Sequence, residues 1–279
     1  MNKLRVIVAM LIFGTIGIFV DRLTYPSAFI ALFRSACGLI VLLLYAIIFR
    51  KRISLRCIFS NILLLLPAGA FLGLNWVFLF EAYRYTSISF ATLCYYMAPV
   101  FVIFLAPLFT KKKSGAVKNA CALVAVAGMI LLTGIQSFGN WRGLVFGLGA
   151  ALLYALIILL TAVTKNVSSL EITVSELFVS CLVLIPYVMT RYDITAFTFD
   201  RESMVILFIL GVVHTGIAYL LYFGGMKKIS PQTVAVYSYI DPIFAIVLSS
   251  VLTHTFLTVP EIVGAVMILG AAFVSDMKK

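Results

Sequence analysis

Asp241 stands in the middle of an apolar run, directly before Pro242. Polar groups at bilayer depth are costly, so they face a cavity or a partner. A carboxyl there can bind and release a proton, act as counter-charge to a cation, or cap backbone groups freed by the proline. Tyr237 precedes it by one helical turn and is expected on the same face, within hydrogen-bonding reach. His214 lies near the middle of another run and can serve as a proton relay or as one side of an interhelical hydrogen bond. Asn75, beside Trp76, can orient a polar ligand or bridge two helices. Tyr95, Tyr96, Tyr154, Tyr237 and Tyr239 fall near mid-depth, whereas belt tyrosines sit at the interfaces. Their rings can hold cations or stack on aromatic ligands. These residues form the expected substrate cavity.

Arg34, Glu81 and Glu176 are the remaining charges of interest inside or at the ends of apolar runs. A structural ion pair between Arg34 and Glu81 is expected, with an outer gate or an anion anchor as the alternative. Glu176 would mirror that arrangement at the opposite side, but no basic partner is evident in its own run. No HExxH, GxSxG or P-loop pattern is present, and acids do not cluster with histidine. Cys37, Cys57, Cys94, Cys121 and Cys181 contain no CxxC and read as small hydrophobes, so neither a metal nor another cofactor is expected. An enzyme is therefore not expected, and hydrolytic power for transport would have to come from elsewhere.

What must position these groups follows from composition. The chain is 63% hydrophobic and 11% charged over 279 residues. Soluble domains carry about a quarter charged residues, so this chain could not coat a water-soluble globule of its size. Its apolar blocks match the roughly 20 residues that an α-helix needs to cross a bilayer. Ten blocks can be marked, at about 4–20, 27–49, 58–83, 86–109, 117–135, 142–163, 171–190, 203–225, 229–252 and 260–275. The first follows Lys3 and Arg5 as a signal peptide's core would, but no small-x-small site follows it, so it reads as a retained span. The net charge of +11 is scattered between blocks, which argues against nucleic acid as a partner.

With both termini in the cytoplasm, 15 Lys and Arg fall inside, 5 outside, and Arg34 within a span. That bias fixes the expected orientation. Shifting the chain by 143 residues lays Phe80 over Phe223, Ser87 over Ser230, Tyr96 over Tyr239, Pro99 over Pro242 and Phe101 over Phe244. The expected halves are 1–138 and 139–279, each with five spans. An odd number of spans per half inverts the second relative to the first. Gly69 with Gly73, and Gly139, Gly143 and Gly147, have the spacing that lets helices approach closely. His254, in an outside loop, reads as incidental.

The stretches "EAYRYTSISFATLCYYMAPVFV", "YFGGMKKISPQTVAVYSYIDPIFAIVLSS" and "EIVGAVMILGAAFV" resemble the drug/metabolite transporter superfamily, EamA type. The resemblance implies an all-α membrane protein of ten helices in an inverted five-plus-five repeat, with a central cavity and alternating access. It implies a secondary carrier, leaning to export, for small metabolites such as amino acids or amines, in the cell membrane. Protons are an expected coupling ion, and the carrier would act as a monomer or homodimer in the lipid bilayer. The acid that relatives often carry just after the fourth span of each half is replaced here by Thr110–Lys113 and Thr253–Thr255, so no role for it carries over. The alternatives are a membrane-embedded enzyme acting on lipid, a scaffold, and a channel. The first lacks a catalytic constellation, the second does not need polar groups at the midplane, and the third lacks a filter-like loop.

Overall fold

The structure, a computed structural model, describes residues 2–20, 22–86, 91, 94–110, 115–133, 141–194, 197–227, 229–253 and 258–277. Among these residues it is all helical. The helices are α1 (Asn2–Gly14), α2 (Ile16–Val20), α3 (Ser27–Ile48), α4 (Leu55–Ser60), α5 (Ile62–Tyr85), α6 (Ala98–Thr110), α7 (Ala116–Thr133) and α8 (Trp141–Val163). They continue as α9 (Ser169–Arg191), α10 (Arg201–Gly211), a π segment (Val212–Ile217), α11 (Ala218–Met226), α12 (Pro231–Tyr237), α13 (Ile240–Thr253) and α14 (Val259–Met277).

Six helical stretches are long and apolar enough to cross a membrane, and three shorter apolar helices accompany them among the described residues. Large apolar side chains point away from the protein along these helices: Leu63 is 87% exposed, Leu108 75% and Ile47 73%. A soluble protein does not tolerate such a surface. The chain is a multi-pass membrane protein.

Helix starts are marked by caps where the chain leaves the apolar zone. Ser168 and Glu171 form a capping box at α9, Ser54 caps α4, Asp200 caps α10, and Ser230 precedes Pro231 at the first position of α12. Two of the ten expected blocks are interrupted beside a proline, besides the single-residue turns at Thr15 and Asn61. The chain turns at Tyr96–Met97 and again at Ser238–Tyr239, in each case just before a proline of the next helix, Pro99 or Pro242. Proline lacks the amide proton and clashes with the carbonyl four residues back, so each block is broken at the same depth. The shorter helices α6, α12 and α13 are the consequence.

The packing repeats when the two halves are exchanged. α5 packs on α8 as α11 packs on α1, α6 on α8 as α13 on α1, and α9 on α5 as α3 on the π segment. Two pairs, α3 with α9 and α7 with α14, are their own counterparts. The main core, around Val6, Met10, Leu65, Trp76, Ile157, Leu177 and Tyr222, is shared by both halves. Small residues set the close approaches. A Cβ on Gly69 would stand 2.9 Å from the Glu176 carbonyl, and one on Gly147 would stand 2.7 Å from Cβ of Cys94. Gly139, Lys111–Lys113 and His254 lie outside the described residues.

Candidate functional site

The two helix breaks bring the midplane polar residues together. Tyr95 and Tyr96 stand at the first break; Ser238, Tyr239 and Asp241 stand at the second. Asp241 falls in the first turn of α13, where backbone N–H groups have no partner within the helix and a carboxylate is favoured. The Tyr239 hydroxyl donates to the Tyr96 backbone carbonyl at 2.9 Å, so the breaks hold each other. Tyr239 is fully buried and therefore structural in this conformation.

Around the breaks runs a belt of tyrosines. The Tyr95 ring stacks on that of Tyr154 with centroids 5.6 Å apart, and the Tyr154 hydroxyl donates to that of Tyr222 at 3.0 Å. The Ser238 hydroxyl lies beside Tyr154, and the Tyr96 hydroxyl lies beside the Asp241 carboxylate. The helix stops at Tyr237 and restarts at Ile240, so the spacing that would align Tyr237 with Asp241 is lost. Tyr237 is instead buried in the main core.

Arg34 closes the other end of the belt. Its guanidinium carbon lies 5.1 Å from the Trp76 ring centroid, and its Nε donates to Thr215 Oγ1 at 3.2 Å. Tyr219 packs against Trp76 at 6.3 Å, and Tyr95 and Tyr219 share the electrostatic surroundings of both Arg34 and Asp241. Among the described residues neither Arg34 nor Asp241 forms an ion pair. Arg34 and Glu81 do not meet as expected. Glu81 takes Arg84 on its own helix, N to O 3.1 Å, and accepts from the Tyr187 hydroxyl at 3.0 Å. A partner one turn away costs little chain entropy to reach, and it wins over one on another helix.

Asn75 bridges helices: its Nδ2 donates to the Ala150 carbonyl of α8 at 2.7 Å, and its side chain also lies beside Tyr95. It thus joins the belt from below. His214 sits in the π segment, with Nε2 2.7 Å from Thr15 Oγ1 and Nδ1 3.4 Å from the Ile209 carbonyl. The Thr15 hydroxyl also donates to the Ile12 carbonyl at 2.7 Å, and both ring nitrogens of His214 are engaged, which is the interhelical bond rather than a relay with a free end. Glu176 is fully buried, with Oε1 accepting from Thr161 Oγ1 at 2.7 Å.

Sequence reasoning missed Tyr219, Tyr222, Thr15 and Thr161. The tyrosines carry the same signal as Tyr154, an aromatic hydroxyl in mid-run, and their spacing of three residues puts them on one face. The partnering threonines carry no signal, because a lone hydroxyl in an apolar run commonly bonds its own helix.

The EamA-like transporter family model matches residues 4–134 and again 141–275. The chain is 29% identical to the "Uncharacterized transporter YxxF" of Bacillus subtilis (strain 168), over 95% of this chain and 86% of that protein. It is 25% identical to an "Uncharacterized transporter" of Archaeoglobus fulgidus, over 98% of this chain and 96% of that protein. It superposes on a solved crystal structure with a TM-score of 0.87 at 16% identity, covering 99% of this chain and 97% of the other, which is a likeness of fold. The family and the relatives' names point to a transporter rather than an enzyme. With two matches that together cover almost the whole chain, this protein is a member of the EamA-like transporter family.

Proposed function

We propose that the protein is a secondary carrier for small zwitterions, amino acids above all, that exposes a central site to one side of the membrane at a time. The observation that carries the reading is the placement of two unpaired opposite charges, Arg34 from the first half and Asp241 from the second, at the two ends of one tyrosine belt. A guanidinium forks onto a carboxylate, and a carboxylate takes an ammonium. Tyr95, Tyr154 and Tyr219 between them offer ring faces to the ligand's side chain. A ligand bound this way joins the halves, so its arrival and departure bias how they sit.

On this reading ten segments cross the plasma membrane in two five-helix halves of opposite orientation, with both termini cytoplasmic and the solute leaving the cell. Broken helices at the midplane are a recurring feature of such carriers. The contact exchange between halves supports it. Orientation is tested by single cysteines: Asn166→Cys should react only from the cytoplasm and Asp193→Cys only from outside. Substrate class is tested by thermal shift of the purified protein and by counterflow in liposomes. L-amino acids should raise the melting temperature and exchange, while simple amines and simple carboxylates should do neither. Response to amines alone would leave Asp241 and the rings as the site and make Arg34 structural. No response to any of the three would sink the carrier reading.

A further inference from the structure

Glu176 is fully buried, and its Oε2 has no hydrogen-bond partner among the described residues. Its other oxygen has one neutral donor, the equally buried Thr161. Among the described residues no cation answers it. Of the helices packed on α9, α3 brings Arg34, which is turned to Thr215 and Trp76, and the thiol of Cys37. α5 brings Glu81 and Arg84, joined to each other at its far end; α4 brings Arg56 and Cys57. α11 brings Tyr219, which feels Glu176 electrostatically, and Tyr222, which accepts from the Tyr154 of α8. An ionised carboxylate in this place would be a bare charge, whereas a carboxylic acid keeps one oxygen accepting from Thr161 and needs only a proton on the other.

The position of Glu176 gives that proton a use. Immediately along α9 lies a seam between the halves. Asn61 of the first half donates through Nδ2 to the Lys165 carbonyl at 3.0 Å and accepts from the Lys165 amide at 3.0 Å. The Ser54 amide donates to Glu171 Oε1 at 2.7 Å. Thr161 is one turn before Lys165, and Glu176 follows Glu171 on α9, so the Thr161–Glu176 bond is the next rung above the seam. On the other side, Ser180 is one turn further along α9, with its hydroxyl 3.2 Å from that of Ser35, the neighbour of Arg34. Polar side chains thus step from the seam along α9 to Ser35 of α3, the helix that carries Arg34.

We propose that Glu176 is a proton-binding site that locks the seam when occupied and opens it when empty. On release, the Oε2–H bond breaks, the proton passes to water admitted through the seam, and the carboxylate left behind requires that water to stay. The inference uses the carrier reading for its biological consequence, but its test needs no substrate. In infrared spectra of the protein in liposomes at neutral pH, a protonated-carboxyl band should be present and should vanish in Glu176→Gln, while Asp241→Asn keeps it. Thr164→Cys, placed on a buried residue of the seam in a background lacking the native cysteines, reports opening through its reaction with an impermeant thiol reagent. Its labelling should quicken as pH rises, and Glu176→Gln should make it slow at every pH. A band that survives Glu176→Gln, or labelling whose pH dependence is unchanged by it, overturns the proposal. Failure of amino acids to exchange leaves both readouts intact and counts against the substrate alone.

Discussion

Tyr239 donates its hydroxyl to the backbone carbonyl of Tyr96 at 2.9 Å, and the two residues are 143 positions apart. That is the period at which the sequence overlays its own second half, so the repeat's equivalent residues touch. Their rings lie 6.5 Å apart. Residues related by a two-fold axis meet only near that axis, so on the proposed carrier reading this contact is where one half pivots against the other. The helix breaks at Tyr96–Met97, and the Val100 amide, four residues on from Tyr96, donates to the Met97 carbonyl instead.

Tyr239→Phe should therefore cost about 1–2 kcal/mol, the penalty for leaving a buried carbonyl without its donor. The measurement is thermal unfolding in detergent. Because the bond lies at the pivot, solute exchange rates should change as well, while binding affinity for the solute changes little. A variant with unchanged melting and unchanged exchange would remove the pivot.

Gly69→Ala should destabilise by about 1–3 kcal/mol through overpacking. The new Cβ would stand 2.7 Å from Cβ of Val179, 2.9 Å from the Glu176 carbonyl and 3.0 Å from the Glu176 Cα, and backbone there cannot swing aside. Gly17→Ala is the control, since a Cβ on Gly17 has no atom within 4 Å. Alanine there should be neutral or gain up to about 1 kcal/mol of helix propensity. Equal effects at the two sites would show that helix contact at Gly69 is looser than the geometry says.

The apolar blocks and the repeat were legible because each is a property of local composition: hydropathy, period and residue type. Partners across helices were not. The Arg34–Glu81 pair was expected from depth alone, yet depth does not say which face a side chain takes, and Arg84 was nearer to Glu81 along the chain. Tyr237 was tied to Asp241 by regular helical spacing, which the turn at Ser238–Tyr239 cancels. Tyr219 and Tyr222 differ in no visible way from Tyr154, and only the packing of α11 between α1 and the belt selects them. The π segment around His214 leaves no trace in hydropathy, since it adds one residue to a turn without changing what the turn is made of.

Asp200 accepts from the Ser203 amide at 2.9 Å at the exposed start of α10. The hydrogen bonds from Ser203 hold its carboxyl below the ordinary value of 3.8. The charged form is the one that caps, so its contribution is complete above the ordinary carboxylate value and is lost as pH falls through the lowered one. Amide exchange at Ser203, read against pH, should show protection constant through neutral pH and falling only in acid below the usual aspartate range. Asp200→Asn should retain much of that protection without the acid step, and Asp200→Ala should lose it at all pH. An acid step that persists in Asp200→Asn would assign the titration to another group.

On the proposed carrier reading Arg34 and Asp241 are separate handles on one ligand, and that has a signature in double substitution. Arg34→Lys keeps the charge but loses the planar fork and the stack on Trp76, so amino-acid affinity should fall about tenfold, close to 1.4 kcal/mol. Asp241→Asn should weaken amino acids by a comparable or larger factor and should abolish any response to amines. Because neither group pairs with the other in the empty protein, each substitution removes contacts to the ligand without freeing the other's partner. Losses at groups that do not touch each other add nearly, so Arg34→Lys with Asp241→Asn should show close to the sum of the two free-energy changes in a thermal-shift titration, less any coupling through Tyr95 and Tyr219. If the double variant instead binds no worse than the weaker single one, the two groups are coupled through the protein, and the ligand does not span the tyrosine belt between them.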